Sequence, residues 1–248
     1  MTIKVGVLGA KGRMGSTSVA AVTAADGLEV VAEIDVDDTL DALIDTGAQV
    51  VLDFTQPDVA LDNVRWCVEH GLSVVVGTSG FDDTKIAEVR ALLGDDPQVG
   101  VLIVPNFSIG AILMMKFAAE AAPWFESVEV IEMHHPNKVD APSGTATRTA
   151  ELIAASRQEA GSDPLPDATT TDPDGARGAK IAGVPVHALR ARGYVASQEV
   201  VLGGAGETFS IRHDSHDRES FMPGVVAALR SVGDRPGLTV GLDVVLGL

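Results

Sequence analysis

The chain has 248 residues, 46% apolar and 21% charged, enough to bury the core of one large domain or two modest ones. Its net charge of −17 disfavours nucleic acid or an anionic membrane as a partner, and its single cysteine, Cys67, excludes an intramolecular disulfide and argues against a thiolate metal site. Residues 99–115, the longest apolar stretch, are broken by Pro105, Asn106 and Ser108, so no window suits a membrane span; the N-terminus runs into a strand without a signal peptide, and a cytoplasmic location is expected.

Strand and helix signals alternate over the first hundred residues. Apolar runs at 3–8, 28–34, 49–54, 72–76 and 100–104 read as strands, stopping near Gly9, Asp35, Thr55, Gly77 and Pro105. Helical patterns lie at 14–25, at 57–70 with Pro57 in the first turn and Gly71 past the end, and at 81–93. Short apolar strands separated by helices mean parallel strands with helical crossovers, hence an open α/β sheet. The pattern then changes. Residues 109–124 form one long apolar helix, and a strand at 128–133 ends on His134. Pro142-Ser143-Gly144-Thr145 opens an Ala-rich helix, and residues 161–180, rich in Asp, Pro, Gly and Thr, read as a long loop able to move. Strands at 186–191, 194–202 and 207–213, joined by short Gly-containing links, predict an antiparallel meander. A helix at 220–232 returns to the first domain. The expected organisation is α/β: a Rossmann-type parallel-sheet domain, residues 1–107 plus 217–248, with an α+β domain, residues 108–216, inserted into it.

Gly9-Ala10-Lys11-Gly12-Arg13-Met14-Gly15 follows the first strand and opens the first helix. Its spacing is a variant of the dinucleotide fingerprint, in which glycines let the backbone approach a pyrophosphate seated on a helix N-terminus. Asp35, at the end of the second strand and about 20 residues on, is placed to accept hydrogen bonds from ribose hydroxyls, the NAD pattern. Val36-Asp37-Asp38 offers no arginine for a 2′-phosphate, although Lys11 and Arg13 could offset its acids, so NADH is expected to serve at least as well as NADPH. Gly77-Thr78-Ser79 and Pro105-Asn106-Phe107 follow the fourth and fifth strands, on the side where open α/β sheets bind ligands.

The second cluster holds His134, His135, Lys138 and Asp140 just before the Ser143-Gly144-Thr145 helix start. Each alone reads as a structural histidine, a solvated lysine or an ordinary cap, and adjacent histidines with a distant aspartate are poor metal spacing; no metal is expected. Together they place cations beside helix N-terminal amides, an arrangement that binds a carboxylate and can deliver a proton.

The run E-V-I-E-M-H-H-P-N-K-V-D-A-P-S-G-T-A, residues 129–146, resembles the signature of the 4-hydroxy-tetrahydrodipicolinate reductase (dihydrodipicolinate reductase) family of lysine and diaminopimelate biosynthesis. Gly9 to Gly15, Asp53-Phe54-Thr55, Gly77 to Phe81 and Pro105 to Gly110 extend the resemblance over essentially the whole chain; Ser79 stands where the family has a second threonine. The resemblance implies an NADH- or NADPH-dependent reductase of a cyclic dicarboxylate, with a dinucleotide domain and a substrate domain that also forms a homotetramer; with cofactor and substrate on different domains, the two are expected to close on their ligands. It implies His134 and Lys138 as catalytic proton carriers, with His135, Gly144 and Thr145 binding substrate carboxylates. Gly9, Ala10, Lys11, Gly12, Arg13, Met14, Asp35, Gly77, Thr78, Ser79, Val104, Pro105, Asn106 and Phe107 would hold the cofactor. Two other readings are a different Rossmann-type reductase of a small acid, which the His-His-Lys cluster opposes, and a non-catalytic dinucleotide sensor, which would be expected to lose His134 and Lys138.

Overall fold

The structure, a computed structural model, describes residues 2–248. The chain divides into two compact units, one containing the residues up to Ile109 with Arg218–Leu248, the other Gly110–Asp217. The first opens with β1 (Ile3–Leu8), α1 (Arg13–Ala24), β2 (Leu28–Ile34), α2 (Asp41–Asp45), β3 (Val50–Asp53), α3 (Ala60–Glu69), β4 (Ser73–Val76), α4 (Asp83–Leu93) and β5 (Gly100–Ile103). Strands β3, β4 and β5 are buried on both faces, as a parallel sheet covered by helices requires. Leu8, Val51, Val74, Val76, Val101 and Ile103 point to one side, into a core shared with Val64 and Cys67 of α3 and Val89 and Leu93 of α4. Helix α4 starts later than expected because Asp82 caps it, its side chain accepting from the Lys85 N–H. Helix α3 likewise begins beyond Pro57, which lies in a preceding turn.

The second unit takes α5 (Ile109–Ala121) from its second residue on, then β6 (Ser127–His134), α6 (Gly144–Glu159), β7 (Ala179–Ile181), β8 (Val184–Arg190), β9 (Ala196–Gly204) and β10 (Glu207–Ser215). The long apolar helix is cut short at Ala121: Pro123 has no N–H to continue the ladder, and Ala122–Trp124 tightens into a 3₁₀ turn. The sheet order is β10-β9-β6-β8-β7. The meander expectation is corrected here. Strands β9 and β10 form an antiparallel hairpin, but β8 lies on the far side of β6 and runs parallel to it. The link from β8 to β9 arches over the end of β6, with Ala191 N–H donating to the His134 carbonyl and Ala196 pairing with His134. Val128, Val130, Val184, Val186, Val200 and Leu202 face Ala146, Ala150 and Ile153 of α6. The loop before β7 is tied down: Arg177 reaches Glu129 at 2.6 Å and Lys180 reaches Asp167 at 3.0 Å.

The chain returns to the first unit with α7 (Met222–Val232), β11 (Gly237–Val240) and α8 (Asp243–Leu246). Helices α7 and α1 pack together, and α7 lies against β3, β4 and β5 on the face opposite α3 and α4. Strand β11 adds beside β5, completing an all-parallel sheet of order β11-β5-β4-β3-β1-β2. The order reverses at β1, which lies between β2 and β3, the switch point beside which such sheets take their ligands.

Candidate functional site

The first unit gathers its expected ligand residues at the carboxyl ends of its strands. Gly9 adopts φ 73°, a left-handed conformation costly for other residues, and its N–H donates to the Ile34 carbonyl at 2.8 Å. A side chain at Gly15 would collide with the Gly9 carbonyl, so glycine there lets the first turn of α1 close against the loop. Gly12 is the N-cap of α1 and Arg13 its first residue, while Lys11 and Arg13 are exposed and the Ala10 side chain is buried. The Asp35 carboxylate accepts the Lys11 N–H at 2.8 Å and the Val36 N–H at 3.0 Å. The Lys11 bond, followed by that from Val36, holds this carboxyl below its ordinary range. A helix N-terminus approached by a glycine turn and flanked by an ionised carboxylate fits a dinucleotide.

Gly77 and Val104 continue the same strand ends, the Gly77 N–H donating to Asp53 O and the Val104 N–H to Val76 O, both at 2.9 Å. Val104, Phe107 and Thr78 are buried, Pro105 and Ser79 are exposed, and the Asn106 side chain accepts the Ser108 N–H at 2.8 Å. Sequence reasoning missed the role of Asp53. Its buried carboxylate accepts from the Thr55 N–H (2.8 Å), Thr55 Oγ1 (2.6 Å), Thr78 Oγ1 (2.8 Å) and Asn63 Nδ2 (2.8 Å), so it fixes Thr78.

The second unit brings the histidine, lysine and helix-start residues together. His134 is the last residue of β6; His135 lies beyond it, exposed. Ser143 caps α6, its Oγ accepting the Ala146 N–H at 3.2 Å, so Gly144 and Thr145 are the first residues of that helix. Lys138 Nζ lies 2.7 Å from Asp140 Oδ1, and that bond holds the Asp140 carboxyl below its usual range. Glu132, two residues before His134 and fully buried, has Oε2 2.6 Å from His134 Nδ1. Arg190 grips both Glu132 oxygens at 2.7 Å. Burial pushes the Glu132 carboxyl up, but hydrogen bonds from Arg190 and His134 outweigh it and hold the group below the ordinary carboxylate range. Burial pushes His134 down; Glu132 opposes this without reversing it, so the neutral ring is favoured at neutral pH.

Glu132 carried no assigned function in the sequence reading and Arg190 drew no notice. Arg190 lies 58 residues from Glu132, and only the parallel register of β6 on β8, which sets His134 beside Arg190, brings it in.

Two family models share the chain: they meet where the second unit begins, and the second of them runs on through the segment that returns to the first unit. Residues 3–107 match the family model described as "Dihydrodipicolinate reductase, N-terminus", and residues 110–246 that described as "Dihydrodipicolinate reductase, C-terminus". The chain is 60% identical to the 4-hydroxy-tetrahydrodipicolinate reductase of Nocardia farcinica, covering 100% of both chains. It is 60% identical to that of Streptomyces griseus, covering 99% of this chain and 98% of the other. A dipicolinate-bound dihydrodipicolinate reductase from Paenisporosarcina sp. TG-14 matches with a TM-score of 0.85 at 35% identity, over 98% of this chain and 99% of that one. A myo-inositol dehydrogenase from Corynebacterium glutamicum, with a TM-score of 0.62 at 13% identity over 96% of this chain and 90% of that one, shares the fold alone.

Proposed function

This chain belongs to the dihydrodipicolinate reductase family, and from that premise we propose how its two units divide the reaction. The activity is the NADH- or NADPH-dependent reduction of 4-hydroxy-tetrahydrodipicolinate to tetrahydrodipicolinate, in the diaminopimelate route to lysine. The first unit holds the cofactor. Backbone amides from Gly9 to Met14 take the pyrophosphate, Asp35 takes the adenosine ribose, and Gly77 to Ser79 with Val104 to Phe107 line the nicotinamide end. The bound dinucleotide supplies the hydride.

The second unit binds and protonates the substrate. The amides of Gly144 and Thr145, at the start of α6, receive one carboxylate and His135 the other. Lys138 brings an ammonium to the ring, where it stabilises the negative charge that builds at nitrogen and the adjoining carbon during reduction, and it carries a proton to quench that charge. His134 shares the proton work through the ring nitrogen that Glu132 leaves uncovered. The observation that carries this reading is the presence of two proton-bearing side chains, each held by its own carboxylate, in one short segment that opens onto the N-terminus of α6.

The test is Lys138→Ala, with NADH oxidation followed while substrate is generated by condensing pyruvate with aspartate semialdehyde. Turnover falls by about 10²–10⁴-fold with NADH affinity nearly intact; unchanged turnover removes Lys138 from the mechanism.

We infer further that the protein acts in the cytoplasm as a homotetramer, with a small dicarboxylate and neither nucleic acid nor membrane as its partner. Among the described residues no helix is long and apolar enough to cross a membrane. The face of the second sheet opposite α6 carries partly exposed Ile131, Leu189 and Val201, the apolar content that a subunit contact would cover. Sedimentation velocity tests this assembly; a monomer at micromolar concentration rejects it.

A further inference from the structure

A fully enclosed carboxylate is costly unless donors surround it, and Glu132 is surrounded. Oε2 meets His134 Nδ1 at 2.6 Å and accepts from Arg190 Nη1 at 2.7 Å; Oε1 accepts from Arg190 Nη2 at 2.7 Å and from the Ser143 N–H at 3.1 Å. Each oxygen has two partners. They come from the end of β6, the end of β8 and the cap of α6, so one side chain locks three elements in a single register. The same Arg190 Nη2 also donates to the Asp140 carbonyl at 2.7 Å, and the Asp140 carboxylate holds Lys138 Nζ at 2.7 Å.

An ionised carboxylate can only accept, so the hydrogen between Glu132 and His134 sits on Nδ1. In the neutral ring that leaves Nε2 as the lone-pair nitrogen. A simple buried ion pair between β6 and β8 would need only the Arg190 fork. The lone pairs that the fork leaves over are the ones directed at the His134 ring and the α6 cap.

We propose that Glu132, clamped by Arg190, is a positioning residue for the reduction: it fixes His134 as the Nδ1-protonated tautomer and, through Arg190 and Asp140, holds the segment that carries Lys138. The inference rests on the reading of His134 and Lys138 as the proton carriers. It adds two residues to the machinery, neither of which needs to touch the substrate.

The experiment uses the full-length enzyme, with kinetics and ¹⁵N-histidine NMR on the same preparations. In the wild type, the His134 ring resonances report Nδ1 protonated and Nε2 bare. Glu132→Gln keeps the shape but presents an amide donor where an anion stood. Its kcat falls by about 10²–10⁴-fold with KM for the substrate little changed, and the His134 tautomer signature shifts. Arg190→Lys keeps the charge, loses the fork and changes both readouts in the same direction by less; it replaces Glu132→Gln should that variant not fold, as judged by far-UV circular dichroism and NADH binding. A purely structural role would leave the tautomer of the folded variants unchanged, and that result overturns the proposal. So does turnover by folded Glu132→Gln within about threefold of wild type while His134→Gln is inactive. If His134→Gln itself keeps wild-type turnover, the parent reading fails and this proposal falls with it; an Nε2-protonated ring in a wild type whose His134→Gln variant is inactive overturns this proposal alone.

Discussion

Asp35 braces the glycine loop by accepting the Lys11 N–H, and in the proposed cofactor site the same carboxylate would also take the adenosine ribose. Asp35→Ala therefore weakens both cofactors, because the loop loosens, but weakens NADH more than NADPH, because only the free 2′-hydroxyl loses an acceptor. Titrations with each cofactor check this, and equal losses would refute the ribose contact. The carboxylates also set the response to acid. In Glu132 and Glu129 burial raises the carboxyl, but hydrogen bonds from Arg190 and His134, and from Arg177 and His187, leave each below its ordinary value; in Asp140 the Lys138 bond lowers it directly. Groups lowered in the folded state stabilise fully above their unfolded pKa of about 4, and that stability is lost as pH falls through the folded values. His134 and His213, lowered mainly by burial, add an earlier loss: the unfolded chain takes up their protons first, so stability begins to fall as pH drops through about 6.5. Urea midpoints measured from neutrality downward should show a shallow decline and then a steep one. A midpoint that held or rose toward acid would contradict both assignments. At this scale the sequence exposed those candidate groups that lie within one run, His134, Lys138 and Gly144, whereas Glu132 with Arg190 and Asp53 with Thr78 become pairs only through strand neighbours.

Among the elements, α6 depends most visibly on a single hydroxyl. Ser143 Oγ satisfies the Ala146 N–H while the Ser143 N–H is given to Glu132. Ser143→Ala removes the cap and keeps the backbone bond, so stability should fall by about 1 kcal/mol in urea denaturation, and an unchanged midpoint would show that the cap is dispensable. The alternation of strand and helix was legible because the inner strands of the first sheet carry short apolar runs, residues 50–52, 74–76 and 101–103, each adjoining an aspartate or a glycine. The neighbours of β8 were not. A short link ending in a glycine looks the same whether it turns back on the strand just left or steps over a third one, and β6, with Val128 and Val130 buried, had already taken the central place. Strand β11 escaped notice because Leu238-Thr239-Val240 is only a fragment between Gly237 and Gly241, defined by its pairing with β5.

At the scale of the molecule, the two units should answer to different ligands. Hydrogen exchange with NADH should protect the segments around 9–15 and 77–79 of the first, and a pyridine-2,6-dicarboxylate should protect residues 134–146 and 190 of the second. Protection of the second unit's loop by NADH alone, with none around Gly9, would reverse the division of labour. The insertion also has a consequence in time. The second unit is contiguous, Gly110–Asp217, whereas the first sheet takes its outermost strand, β11, from residues 237–240. During synthesis the whole of the second unit leaves the ribosome before those residues do. Over that interval β5, enclosed on both faces in the finished protein, is left as the rim of the sheet, paired with β4 on one side and with its outward peptide groups open on the other, a template on which another nascent chain can lay a strand. A chaperone attending this protein would find its work along that rim, and the work would end once residues 237–240 had added to it.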